Sequence, residues 1–195
     1  MEHLIIFTRY PEAGKTKTRL IPALGAEGAA EFHRQMTEKT VKTVREFAAS
    51  HSVSVEIRYT GGNLELMQDW LGADLRYNLQ GTGDLGDRLR ESFQGAFNTG
   101  KSAVIAIGTD CPDLSVEILS QAFEKLQKQD IIIGPAEDGG YYLIGLCQLI
   151  PELFLGINWG TSEVFKQTLT VCETLNLSVV FLPTLADIDR PEDLK

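Results

Sequence analysis

Short apolar runs alternate along this chain with longer stretches that are apolar on one face only, and this rhythm restricts the possible folds more than any other feature. Leu4-Ile5-Ile6-Phe7, Ala103 to Ile107 and Ile131 to Ile133 are continuous apolar runs, the pattern of strands covered on both faces. Val53 to Tyr59, Leu75 to Leu79, Tyr141 to Leu146 and Leu177 to Leu182 read as further strands. Between them, residues 26 to 49 carry Ala29, Ala30, Phe32, Met36, Val41, Val44 and Phe47 at mainly helical spacing. Residues 64 to 71, 85 to 97, 115 to 127 and 161 to 173 read as helices too, the last started by Thr161 or Ser162. Right-handed crossovers put helices on both faces of a sheet built this way. The expectation is therefore α/β: a three-layer α/β/α sandwich around a mostly parallel, Rossmann-like sheet. The Gly139-Gly140 turn before Tyr141 adds a short antiparallel excursion.

Length and charge narrow the field. The 195 residues suffice for one well-buried domain and are too few for two ordinary ones, so one domain over residues 1–195 is expected. A formal net charge of -9 disfavours nucleic acid and anionic membrane surfaces as partners, while a local basic loop could still take a phosphate. No apolar stretch approaches the roughly 20 residues of a bilayer span, so membrane insertion is not expected. Met1 leads straight into the first strand, without the basic and long apolar regions of a secretory signal. Cys111, Cys147 and Cys172 are odd in number and widely spaced, which suits a reducing cytoplasm better than a disulfide framework. His3, His33 and His51 show no context for nucleophilic catalysis.

Four segments just past predicted strand ends carry the chemistry, which is where open α/β sheets bind ligands. The first, Thr8 to Leu20, holds Arg9, Lys15, Lys17 and Arg19 around Gly14. Such a loop can cradle phosphate with backbone N–H groups and cations, or it can be a solvated basic loop. It is no Walker loop, because Arg9 stands where the first glycine of that motif belongs. The second, Gly81-Thr82-Gly83-Asp84-Leu85-Gly86-Asp87-Arg88, either lets backbone approach a nucleotide or simply opens a helix. No acid ends a following strand at the spacing a dinucleotide fold requires.

The third segment, Gly108 to Leu114, presents Asp110 and Asp113 around Pro112. Asp110 is either a metal ligand on rigid backbone or the cap of the next helix. The hairpin Gly134 to Tyr142 adds Glu137 and Asp138, which could take a proton from an acceptor hydroxyl. In the fourth segment, Asp187 and Asp189 alternate, so one could share a metal with Asp110; Asp189 could equally cap a turn begun by Pro191.

Taken together and in this order, Phe7 to Leu20, Gly81 to Arg88, Gly108-Thr109-Asp110-Cys111-Pro112, Asp138-Gly139-Gly140-Tyr141 and Asp187-Ile188-Asp189 with Pro191-Glu192-Asp193 resemble the nucleotide-diphospho-sugar transferase superfamily of GT-A-like folds. The nearest likeness is to the small bacterial glycosyltransferases assigned to arsenosugar biosynthesis. Molybdenum-cofactor and phospholactate nucleotidyltransferases share the Asp-x-Pro loop. The resemblance implies that Asp110 binds Mg2+ or Mn2+, with Asp187 or Asp189 assisting. It also implies a nucleotide site of Arg9, Gly14, Lys15, Lys17, Arg19, Gly81, Gly83, Arg88 and Thr109. Sugar-nucleotide pyrophosphorylases carry a glycine-richer first loop for a triphosphate, whereas this one has only Gly14. That departure leans toward a preformed nucleotide sugar as donor and a small-molecule acceptor. The rivals are a nucleotidyltransferase that consumes a nucleoside triphosphate and a nucleotide-binding regulator without catalysis.

Overall fold

A computed structural model describes residues 1–194. Its strands are β1 (Glu2–Arg9), β2 (Val53–Thr60), β3 (Arg76–Leu79), β4 (Ala103–Ile107), β5 (Ile131–Pro135), β6 (Tyr141–Leu146) and β7 (Val179–Phe181). Its helices are α1 (Ile21–Ser50), α2 (Leu64–Leu71), α3 (Leu85–Asn98), α4 (Val116–Leu126) and α5 (Val164–Thr174). The seven strands form one sheet in the order β3-β2-β1-β4-β6-β5-β7. All neighbours run parallel except β6, which lies antiparallel between β4 and β5. The expected sandwich and its antiparallel excursion are both present.

Strand β4 explains why the layers number three. Ala103, Ile105 and Ile107 pack with Val44 and Phe47 of α1 and with Leu119 and Phe123 of α4. Val104 and Ala106 point the other way, onto Leu89 and Phe93 of α3. Every residue of the strand is buried, as its uninterrupted apolar run predicts.

Helix starts follow local chemistry. Ser115 caps α4 by accepting from the Ile118 N–H at 3.3 Å. Asp84 caps α3 through the Asp87 N–H at 2.9 Å. Gly25, with φ 73° and ψ 170°, interrupts the helical path of α1, so its regular run begins near the predicted residue 26. The helix predicted from residue 161 instead begins at Val164, and neither Thr161 nor Ser162 caps it. Ser162 is occupied elsewhere, because its backbone lies directly against Gly139. A 3-10 turn at Pro151–Phe154 was not apparent from the periodicity. No helix among the described residues is long and apolar enough to cross a membrane.

Candidate active site

The chain leaves β1 to build β2 and β3 on one side, then returns through α3 to β4 on the other. Beyond the carboxyl ends of β1 and β4, at that switch point, lies a cleft of about 460 Å³. Arg9, Leu85, Thr109, Asp110, Asp138, Asp187 and Asp189 line it, so the four sequence-predicted segments, the second through Leu85 alone, converge on one cavity together with the Asp138 hairpin.

Asp110 is free for chemistry because Ser115, not Asp110, caps α4. Its carboxylate meets Lys17 Nζ at 2.9 Å and is half exposed. The Lys17 ammonium is almost wholly buried, donates to the Ile188 carbonyl at 2.5 Å and lies 3.5 Å from Asp189. To reach this position Lys17 adopts a left-handed backbone, φ 48° and ψ 44°, which side chains other than glycine adopt at some cost. Arg19 pairs with the other Asp189 oxygen at 2.6 Å, and the Ile188 N–H donates to the Asp110 carbonyl at 2.9 Å. The first loop, the end of β4 and the last segment are thereby stitched together.

The acids are not equivalent. Asp189 already has a cation on each oxygen. Asp187 has no ion-pair partner among the described residues, and burial, followed by the Asp138 charge, pushes its carboxyl above the usual range. The same three charges, Asp187, Asp110 and Asp138, add to burial in raising the Cys111 thiol, which is therefore no nucleophile at neutral pH. No three His, Cys, Asp or Glu donors among the described residues stand as a ready-made cage. Hard oxygen donors brought together from separate segments, with Asp187 unneutralised, nevertheless suit Mg2+ or Mn2+. Asp110 and Asp187 fit that role better than Asp189.

The other predicted residues divide. Lys15 is exposed and paired with Glu12 at 2.7 Å, and Gly14 has open space around it. Glu137 is exposed and does not line the cleft, whereas Asp138 does, its Oδ1 accepting from the Gly140 N–H at 2.8 Å. Gly81 and Gly83 take positive φ in the turn before α3 and lie outside the cleft. Arg88 stands behind it, 3.5 Å from Gln80 Oε1. These two glycines of that segment shape the turn ahead of the helix start, and Leu85 and Leu89 are the residues of α3 that reach the cleft.

His33, Gln80 and Trp159 are lining residues that escaped the sequence reading. Gln80 donates from Nε2 to the Thr8 carbonyl at 2.8 Å and the Arg58 carbonyl at 3.1 Å, bracing the ends of β1 and β2. His33 donates from Nε2 to the Arg9 carbonyl at 2.9 Å. Its one sequence signal is its place, four residues before Thr37, on the buried face of α1.

Burial lowers the His33 pKa below 6.5. The unfolded chain then takes up the proton first as pH falls, so the contribution of neutral His33 is complete above about 6.5 and is lost below it. Chemical denaturation at several pH values should show the stability advantage of the natural protein over His33→Gln shrinking from pH 7.5 to pH 5. Parallel profiles would contradict this role.

A strand-end cleft at the switch point, ringed by acids and faced, among the described residues, by Arg9 as its one lining Lys or Arg, is in keeping with the nucleotide-diphospho-sugar transferase class of α/β protein. Comparison with known proteins agrees. The chain is 35% identical to a candidate nucleotide-diphospho-sugar transferase from Desulfovibrio desulfuricans G20, covering 100% of this chain and 85% of that one, with a TM-score of 0.91. Residues 43–161 match the family described as "Uncharacterized protein conserved in bacteria (DUF2064)". The chain belongs to this bacterial family, within the nucleotide-diphospho-sugar transferase superfamily.

More distant structures share the fold alone. A nucleotidyl transferase from Methanothermobacter is 15% identical over 98% of this chain and 94% of its own, with a TM-score of 0.68. A Mycobacterium tuberculosis H37Rv protein solved as a manganese complex is 12% identical over 99% and 96%, with a TM-score of 0.61. Among curated proteins none matches.

Proposed function

We propose that the protein is a metal-dependent glycosyltransferase that moves a sugar from a nucleotide-diphosphate sugar to a small-molecule acceptor. One observation carries the choice. Of the first loop's cations, Lys15, Lys17 and Arg19 are each committed to a carboxylate, and only Arg9 lines the cleft. A single guanidinium with one divalent cation balances a diphosphate better than a triphosphate, whose extra charge needs further donors.

In this reading Arg9 clamps the diphosphate, while His33 and Gln80 fix the backbone that carries it. Asp110 and Asp187 hold Mg2+ or Mn2+, which when bound supplies neutralising charge to the leaving diphosphate. Asp138 takes the acceptor proton if transfer inverts the anomeric centre. Lys17 and Arg19 pair with the Asp189 carboxylate and tie the first loop to the last segment. This revises the expectation that they grip phosphate directly.

Titration calorimetry with nucleoside diphosphates and Mg2+ tests the site. Arg9→Ala should weaken binding by about 1.5 to 3 kcal/mol, the worth of a charge-assisted hydrogen bond, or roughly tenfold to a hundredfold. Unchanged affinity would remove the diphosphate assignment. Product analysis tests the reaction: nucleoside diphosphate release supports glycosyl transfer, whereas pyrophosphate release from a nucleoside triphosphate would establish nucleotidyl transfer. Tight binding with neither product would leave a binding protein.

A further inference from the structure

One part of the cleft lining is aromatic and apolar rather than charged. Tyr141 and Trp159 form its wall, ring centroids 6.3 Å apart and nearly perpendicular, with Leu85, Leu89 and Val164 beside them. The Tyr141 hydroxyl and the Trp159 Nε1 are buried without a hydrogen-bond partner. Both atoms are turned into the protein, the hydroxyl beside Thr168 and the indole nitrogen against Gly86, so what the two rings present to the cleft is carbon surface. Arg9 is the one Lys or Arg among the described residues that line the cavity, and Asp110, Asp138, Asp187 and Asp189 are its acids.

The wall is held by two glycines. Trp159 rests on Gly86, the second residue of α3, where a Cβ would meet the indole Nε1 and, at 2.5 Å, the Phe154 carbonyl. A few residues on, the Ser162 backbone rests on Gly139 in the same way. Gly86 was the last glycine of the pattern that reads as a nucleotide loop, and its lack of a side chain serves Trp159 instead.

We infer that the Tyr141–Trp159 wall is a subsite for a neutral, hydroxyl-bearing ring, and that Gly86 is the positioning residue that seats it. Flat aromatic surface packs the apolar face of such a ring, and the Asp138 carboxylate accepts from its hydroxyls. Arg9 is given to the diphosphate, so a further phosphorylated or carboxylated group would find no other Lys or Arg among the described lining residues. The ring could be the donor's sugar or a separate acceptor, which share this chemistry. This inference rests on the glycosyl-transfer reading for its biological meaning, though not for its measurement.

Trp70→Phe leaves Trp159 as the only tryptophan of two. Its emission can be followed with Mg2+ during titration by nucleoside diphosphates, the corresponding hexose nucleotides, glucose, and glucose 6-phosphate. An emission change with a hexose nucleotide but not its diphosphate identifies the donor's sugar. A change when glucose is added to the diphosphate complex identifies an acceptor. Either result supports the subsite. In that event Gly86→Ala should weaken the neutral-ring interaction about tenfold or more, leaving diphosphate affinity by calorimetry within about twofold. If that variant does not fold, Trp159→Ala read by calorimetry replaces it, with the same expected split.

Tighter binding of glucose 6-phosphate than of glucose would overturn the inference. So would silence of Trp159 toward every neutral ring while calorimetry records nucleotide binding, or equal weakening of diphosphate and ring. A neutral-ring response without nucleotide binding would refute the proposed function and leave the subsite standing. No response to any ligand would refute both.

Discussion

Asp110→Ala is expected to lower metal-dependent turnover about a hundredfold to a thousandfold, the usual loss when a group that stabilises developing charge is removed. The fold should survive. The carboxylate is half exposed, and it caps nothing, since Ser115 starts α4. Lys17 loses one partner but keeps the Ile188 carbonyl and Asp189. The measurement is kcat across a Mg2+ titration beside a thermal melt of the same preparation. An active variant with an unchanged metal dependence would show that the cation, if bound, sits elsewhere.

The largest expected stability effect lies at Gly139. Its φ is +90°, and a Cβ there would collide with the Ser162 carbonyl oxygen and approach Ser162 Cα at 2.7 Å. Backbone cannot swing aside as a flexible side chain can, and the Phe165 N–H ties the same strand of chain to the Gly139 carbonyl at 2.9 Å. Adding left-handed strain of about 1 kcal/mol to overpacking of about 1 to 3 kcal/mol, Gly139→Ala should cost roughly 2 to 4 kcal/mol. For a chain of this length that lowers Tm by roughly 4 to 16 °C. Gly14 is the control, with φ +78° and nothing within 4 Å of a Cβ. Gly14→Ala should show only the conformational part, and equal losses at the two sites would refute the steric argument.

The sheet was legible because β1, β4 and β5 are apolar on both faces and each amphipathic helix has a single buried stripe. Asp110, Asp138, Asp187 and Asp189 were legible because each follows a strand end, and parallel strands bring their ends together. What the sequence does not display is pairing between side chains far apart in the chain. Lys17 and Arg19 look like phosphate ligands in a list of basic residues, yet the structure gives them to Asp110 and Asp189, more than 90 residues away. His33, Gln80 and Trp159 are single residues on ordinary elements, and only tertiary packing turns them toward the cleft. Gly86 and Gly139 show the converse, positions whose meaning lies in the neighbour they admit rather than in the motif they complete.

The stitch between Lys17, Asp110 and Ile188 bears on how the protein is made. A ribosome delivers Lys17 before α1 and Ile188 only after all seven strands of the sheet have been synthesised. Until then the Lys17 ammonium has Asp110 but lacks the Ile188 carbonyl and the Asp189 carboxylate. The cleft acquires its full lining only once Asp187 to Asp189 are made, and a product truncated just before Asp187 would retain all seven strands while lacking the contacts that join the last segment to the first loop and the end of β4.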